Sequence, residues 1–132
     1  VESLAKAGLV VKKNGQVFPY FAANRESREF RLLKTASTIR DLEESGLLEA
    51  LESSYPDCIV LFGSAAKGED TEKSDIDIFM QVGKESADFA RFEKSLGRRV
   101  NVLFEKDAGK LQKELRNNIA NGIVLSGFLK VV

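Results

Sequence analysis

The chain has 132 residues, of which 43% are hydrophobic, and this composition suits one globular domain with a buried core. Its 20 Lys and Arg residues balance its 20 Asp and Glu residues, it has no histidine, and Cys58 is its one cysteine. Within this chain, the composition excludes an internal disulfide, Cys/His zinc sites and histidine-dependent hydrolases, which leaves carboxylates, lysine, serine and a bound metal as sources of chemistry.

The first 23 residues predict a β-hairpin. Two short β-type runs, Leu9–Lys12 and Gln16–Phe21, flank Asn14-Gly15, a dipeptide that favours the positive φ angles of a type I′ turn. Residues 1–40 also hold eight Lys or Arg residues against three Asp or Glu residues. A solvated helical face is the simpler interpretation of this surplus, and a surface that contacts nucleic acid or an acidic partner is the other.

The next segment, residues 24–56, is predicted to be helical. Asn24 is a candidate N-cap for a long amphipathic helix over residues 25–45, in which apolar residues recur every three to four positions. Gly46 ends or bends this helix. The leucines that follow predict a shorter helix, which Tyr55-Pro56 terminates.

From Asp57 onwards, strand-like and helix-like segments alternate. This pattern predicts an α+β fold, a mixed β-sheet with helices packed on it, preceded by the hairpin and the long helix. The expected strands are Ile59–Phe62, Ile76–Val82, Val100–Phe104, Ile123–Leu125 and a last short one at Phe128–Val131. The expected helices are Glu85–Leu96 and Asp107–Asn121.

Two further expectations follow from the apolar runs. Cys58 precedes one of them and is predicted to be a buried core residue. No run is long enough to cross a bilayer, and the first residues do not resemble a signal peptide, so a cytoplasmic protein without a membrane partner is expected.

The stretch from Leu61 to Met80, LFGSAAKGEDTEKSDIDIFM, carries the candidate chemistry. Asp75 and Asp77 are two positions apart in a predicted strand, so their carboxylates project from the same face. Such a pair suits a divalent cation, and hard oxygen ligands favour Mg²⁺ or Mn²⁺. At Gly63-Ser64 a phosphate can approach the backbone and accept from the hydroxyl, while Lys67 adds a positive charge. Together these residues predict a metal-bound phosphate site.

This stretch resembles the minimal nucleotidyltransferases of the DNA polymerase beta superfamily, whose signature is Gly-Ser, about ten residues, and then Asp-x-Asp. Here residues 65–74 separate Gly63-Ser64 from Asp75-Ile76-Asp77, Lys67 and Ser74 also match, and the resemblance covers roughly residues 57–125. It implies that Gly63, Ser64, Lys67 and Ser74 bind a nucleoside triphosphate and that Asp75 and Asp77 hold Mg²⁺ against its phosphates. An acceptor hydroxyl would then attack the α-phosphorus, with pyrophosphate leaving.

Asn101 departs from the family pattern. The family has a third carboxylate on a later strand, which helps to bind a second metal and activates the acceptor. The matching strand here, RRVNVLFE, has Asn101 at that position, so the resemblance gives Asp75, Asp77 and Asn101 as the catalytic set. Asparagine keeps the shape and a carbonyl oxygen but loses the charge and the ability to accept a proton. Glu105 lies roughly 13 Å further along the strand, too far to replace it.

Residues 1–23 show a second resemblance. They look like the end of a recognition helix and the wing of a winged-helix module, which precedes some prokaryotic nucleotidyltransferases of this type. The expected division is a partial winged helix at residues 1–23, connecting helices at residues 24–56 and a nucleotidyltransferase domain at residues 57–132. A DNA contact through residues 1–31 would follow from it.

The sequence therefore leads to three functional hypotheses. The first is an enzyme that transfers a nucleoside monophosphate to a hydroxyl of a protein or small molecule; the resemblance also implies a helical partner protein, as in toxin and antitoxin pairs. The second is a degenerate domain that binds nucleotide and metal for regulation or assembly. The third is a DNA-binding regulator that acts through its front end.

Overall fold

The computed structural model describes residues 2–15, 19–83 and 87–131. The helices are α1 (Glu2–Lys6), α2 (Arg28–Glu44), α3 (Leu47–Glu52), α4 (Ser64–Lys67), α5 (Ala90–Leu96) and α6 (Lys113–Ala120), with a 3₁₀ turn at Ala108–Lys110. The strands are β1 (Val10–Asn14), β2 (Pro19–Ala23), β3 (Cys58–Phe62), β4 (Ile76–Met80), β5 (Val100–Phe104) and β6 (Ile123–Gly127). Within the described ranges, no helix combines the length and apolar character that a membrane span requires.

The sheet confirms the predicted α+β architecture. Strands β1 and β2 form an antiparallel hairpin, and the remaining strands form a mixed sheet in the order β5-β4-β3-β6. Strands β4 and β5 run parallel, whereas β3 is antiparallel to both of its neighbours. Because successive side chains of a strand point to opposite faces, alternate residues of β3 and β4 pack against helices on the two sides of the sheet. Helices α2, α3 and α5 cover one face, and α6 covers the other.

Helix α2 packs directly on the sheet unit. Leu42 is buried in the same cluster as the apolar residues of β3 and β4. The Thr35 hydroxyl donates to the Ala65 carbonyl at 3.2 Å. Gly68 has a positive φ of 68°, and a Cβ there would lie 2.2 Å from the Arg31 carbonyl oxygen, so two backbones meet at this glycine. The segment expected to connect two domains is thus part of the core.

The hairpin is confirmed, but its turn differs from the prediction. Asn14 pairs with Pro19 in the ladder, so Asn14 belongs to β1 and is not a central residue of a two-residue turn at Asn14-Gly15. Asn14 also lacks the positive φ that a type I′ turn requires. The predicted strand start at Gln16 lies outside the described residues.

The start of α2 corrects a second expectation. The helix begins at Arg28, and its N-cap is Ser27, whose hydroxyl accepts the backbone N–H of Phe30 at 3.2 Å. Asn24, the predicted N-cap, instead donates its side-chain amide to the Gly8 carbonyl at 2.8 Å, which ties the two ends of the hairpin together. As expected, Gly46 separates α2 from α3, with a φ of 84°.

The prediction of a last strand at Phe128–Val131 is wrong, since these residues form no strand. The buried side chain of Gln81 explains why. Its amide nitrogen donates to the Lys130 carbonyl at 2.7 Å, and its amide oxygen accepts from the Lys130 N–H at 2.9 Å. One glutamine therefore satisfies the backbone groups that a strand would have paired in a ladder.

Both predicted helices of the second half are too long. Asp107 caps a 3₁₀ turn by accepting the Gly109 N–H at 2.9 Å, and Leu111 and Gln112 are extended before α6 begins. Helix α5 begins only at Ala90, and the predicted start at Glu85 lies outside the described residues.

Cys58 is fully buried, as predicted. Burial raises the pKa of its thiol, and the neighbouring Asp57 carboxylate raises it further. The thiol therefore stays protonated and serves as a core side chain.

Candidate functional site

Three of the predicted site residues meet at one end of the sheet. Asp77 is in register with Phe62 of β3 on one side and with Asn101 of β5 on the other. The Asn101 side-chain amide donates to Asp75 Oδ2 at 3.1 Å and to Asp77 Oδ1 at 3.2 Å. Both carboxylates therefore accept from one nitrogen atom, and Asn101 lies directly beside them.

Strand alternation explains how the carboxylates reach this position. Ile76 and Ile78 are 1% exposed and fill the face covered by α2, α3 and α5. Asp77 points to the opposite face, where Phe79 is buried together with α6. Asp75 and Asp77 are half-buried at the end of this face, so they remain accessible to a cation.

Gly63 connects β3 to α4 and lies beside the Asp77 carboxylate. Its φ of 76° and ψ of −156° belong to a region that only glycine adopts freely. A Cβ at this position would lie 2.7 Å from Asp77 Oδ2. The glycine therefore allows the backbone after β3 to pass against the Asp77 carboxylate.

Gly63→Ala is expected to lower the free energy of unfolding by about 1 to 3 kcal/mol, because alanine strains this backbone and displaces the Asp77 carboxylate. Urea denaturation measures the change. Gly83→Ala is the matched control, since Gly83 has open space around its Cβ position and no positive φ. Equal unfolding midpoints for the two variants would show that Gly63 is not constrained.

The predicted phosphate-binding residues divide into two groups. Gly63, Ser64 and Lys67 line a cavity of about 180 Å³ between α4 and α6. Ser74 is not among the described residues that line it. Its hydroxyl accepts the Thr71 N–H at 2.8 Å and lies 3.1 Å from the Thr71 hydroxyl, so it closes the turn that leads into β4.

An ionic cluster around Asp70 was not predicted. Asp70 is 1% exposed; its Oδ2 lies 2.8 Å from Arg98 Nη1, and its Oδ1 lies 3.2 Å from Lys34 Nζ. Arg98 also donates through Nε to the Ser74 carbonyl at 2.9 Å. The cluster thus joins α2, the loop before β4 and the turn between α5 and β5, and it fixes the residue that precedes Asp75.

The donor set fits a hard divalent cation. Two carboxylates with oxygens directed at a common point are the ligands that Mg²⁺ and Mn²⁺ prefer. In the part of the chain that the structure describes, no cluster of three Asp, Glu, His or Cys side chains could hold a metal. The group beside the two aspartates is therefore the neutral amide of Asn101.

The fold and the residues at the end of β3 and the start of β4 define a domain of the nucleotidyltransferase type. A model of the family described as "Polymerase beta, Nucleotidyltransferase" matches residues 47–127, which is more than half of the chain. The chain belongs to this family. Among curated proteins, none matches the sequence significantly.

The family match confirms the resemblance seen in the sequence and begins earlier in the chain than expected. It includes α3, which lies before the predicted domain boundary at residue 57. Residues 1–46 lie outside the match, so the winged-helix interpretation of the hairpin stays a prediction.

Proposed function

We propose that this domain transfers a nucleoside monophosphate from a nucleoside triphosphate to a hydroxyl of a protein or small molecule. Membership of the nucleotidyltransferase family supports the general class. The observation that carries the proposal is the convergence of Asp75 and Asp77 beside Gly63, where the cavity between α4 and α6 begins.

Each residue has a role that follows from its position. Asp75 and Asp77 would hold Mg²⁺ or Mn²⁺, and the bound cation would supply positive charge for the phosphates. Gly63 lets the phosphate chain approach the backbone, the Ser64 hydroxyl donates to it, and the Lys67 ammonium pairs with its charge. In the reaction, the acceptor oxygen forms a bond to the α-phosphorus as the bond to the pyrophosphate oxygen breaks.

The proton of the acceptor hydroxyl has no free base in this set, because Asp75 and Asp77 would hold the metal. Asn101 donates to both carboxylates and cannot accept the proton. The proton therefore passes to solvent, which makes transfer slow, or to a group supplied by a partner protein. The same observation favours the second candidate function, a domain that binds the nucleotide and metal without transferring.

DNA binding through residues 1–31 has less support, because part of the basic surplus is used within the chain. Arg25 donates to the Glu69 and Asp70 carbonyls at 2.9 and 3.1 Å. Lys34, just beyond this range, pairs with the Asp70 carboxylate. Lys12 and Lys13 are exposed on β1 and are the basic residues of the hairpin that a polyanion could reach.

Asp77→Asn tests the metal and nucleotide site. The change keeps the shape but removes a charge that the cation needs, so we expect MgATP to bind about 100-fold more weakly or worse in isothermal titration. The fold should be unchanged or slightly more stable, since a like-charge pair is relieved. Asp41→Asn, an exposed change on α2, is the control. Native circular dichroism with unchanged MgATP affinity would refute the site assignment.

A further inference from the structure

The cavity between α4 and α6 has a wall that the sequence did not predict. Helix α4 supplies Ser64 and Lys67, and the loop after it supplies Glu69. Helix α6 supplies Asn118, and Asn121 follows directly after this helix. The cavity volume is about 180 Å³. The residues expected to bind phosphate thus face two asparagines from a distant part of the chain.

Close packing fixes the position of this wall. Ile119 is 2% exposed and lies in the apolar cluster with Val60 and Phe79. Directly after α6, a Cβ on Gly122 would lie 2.4 Å from the Leu61 carbonyl oxygen, so the chain there runs against the end of β3. The end of α6 is therefore held beside the strand that leads to Gly63.

The side chains around the cavity include uncommitted hydrogen-bond donors. Among the described residues, the Ser64 hydroxyl, the Lys67 ammonium and the Asn118 amide have no hydrogen-bond or ion-pair partner. Asn121 differs, because its amide nitrogen donates to the Asn117 carbonyl at 2.8 Å. Glu69 is the one acid in the described lining, and it opposes the binding of an anion. Three free donors from two helices suit a ligand with several oxygen atoms.

We propose, on the basis of the nucleotidyltransferase function above, that Asn118 binds the β- and γ-phosphates of the nucleoside triphosphate. Gly63 lines the cavity, and a Cβ there would lie 2.7 Å from Asp77 Oδ2, so a phosphate chain leaving the metal site enters the cavity. The described lining contains no aromatic ring on which a nucleobase could stack, which favours the phosphates as the occupant. The Asn121 amide is already engaged at the end of α6, so Asn118 is the asparagine that can donate to a phosphate.

Isothermal titration with MgATP, magnesium tripolyphosphate and AMP tests the proposal. Asn118→Ala should weaken MgATP and tripolyphosphate by about tenfold, the effect of losing one hydrogen bond to a charged group, and should leave AMP unchanged. Glu69→Gln should tighten tripolyphosphate, because it removes a negative charge from the cavity. Asn117→Ala, an exposed change on the same helix, should leave all three ligands unchanged.

Two results would overturn the proposal. Tripolyphosphate binding that is unaffected by Asn118→Ala would remove the phosphate contact. A change in the preference among ATP, GTP, CTP and UTP, with tripolyphosphate unaffected, would assign Asn118 to the nucleobase. If wild type binds MgATP and Asp77→Asn weakens that binding, either result refutes the role of Asn118 and leaves the proposed function intact. If wild type binds no MgATP, both the role of Asn118 and the proposed function are refuted.

Discussion

Asn101→Asp is expected to raise the rate of label transfer from an α-labelled nucleoside triphosphate by about 10²- to 10⁴-fold, the usual contribution of a general base. Asn101 is in register with Asp77, and its amide lies 3.1 and 3.2 Å from the two carboxylates. An aspartate there would supply both a proton acceptor and a third ligand for divalent metal. We expect the gain to be largest in Mn²⁺.

The geometry also predicts that Asn101→Asp lowers the stability of the metal-free protein, and this loss is a second test of the same site. Asn101→Asp removes two donated hydrogen bonds and places a third negative charge beside Asp75 and Asp77. In EDTA the variant should melt at a lower temperature than wild type, because like charges repel. Added Mn²⁺ should stabilise the variant more than it stabilises wild type, because the native site then binds metal more tightly.

Asn101→Ala is the control for this pair of measurements. It removes the amide without adding a base, so it should leave transfer as slow as in wild type. Fast transfer by wild type, with no change in Asn101→Asp, would show that this chemistry needs no third carboxylate here and that the domain is an ordinary active transferase.

The parts of this site that the sequence predicted depend on local pattern. Gly63-Ser64 and Asp75-Ile76-Asp77 lie within one short stretch, and period-two alternation places both carboxylates on the same side where the chain enters β4. Asn101 was singled out through the family resemblance, and the parallel register of β4 and β5 places it beside Asp77. Each of these positions follows from neighbouring residues or from one strand pairing.

The parts that the sequence missed depend on contacts between distant residues. Asn24 and Ser27 are both suitable N-caps by type, and the hydrogen bond from Asn24 to Gly8 decides between them. Asn118 reaches the cavity because close packing at Gly122 sets the end of α6 against β3. No periodicity or spacing encodes either contact, since both arise only when the elements pack together.

Asp70 is the clearest case of a residue whose surroundings contradict its sequence context. It stands in the polar run Lys67 to Asp75, which reads as a solvated loop, and yet it is 1% exposed. Its cationic partners are Lys34 and Arg98, which lie far from it in the chain. The ion pairs with Lys34 and Arg98 offset the desolvation cost of burying the Asp70 carboxylate, so the polar loop can pack against α2.

Asp70→Asn is therefore expected to lower the free energy of unfolding by about 3 kcal/mol, the lower end of the cost of breaking a buried pair, since both cations are partly solvated. Lys34 and Arg98 have side-chain exposures of 23% and 14%. Urea denaturation measures the loss. Glu44→Gln, which breaks the exposed Arg40–Glu44 pair, is the matched control and should cost less than about 1 kcal/mol.

Stability in high salt and affinity for MgATP distinguish a buried ion pair that positions Asp75 from an exposed surface charge. The stability difference between wild type and Asp70→Asn should persist in 1 M NaCl (about 3 Å screening length), because solvent ions screen buried pairs poorly. MgATP should also bind more weakly to Asp70→Asn, since Arg98 holds the Ser74 carbonyl next to Asp75 through the same guanidinium that pairs with Asp70. If Asp70→Asn and Glu44→Gln are equally stable and bind MgATP equally well, the Asp70 cluster neither stabilises the fold nor positions Asp75.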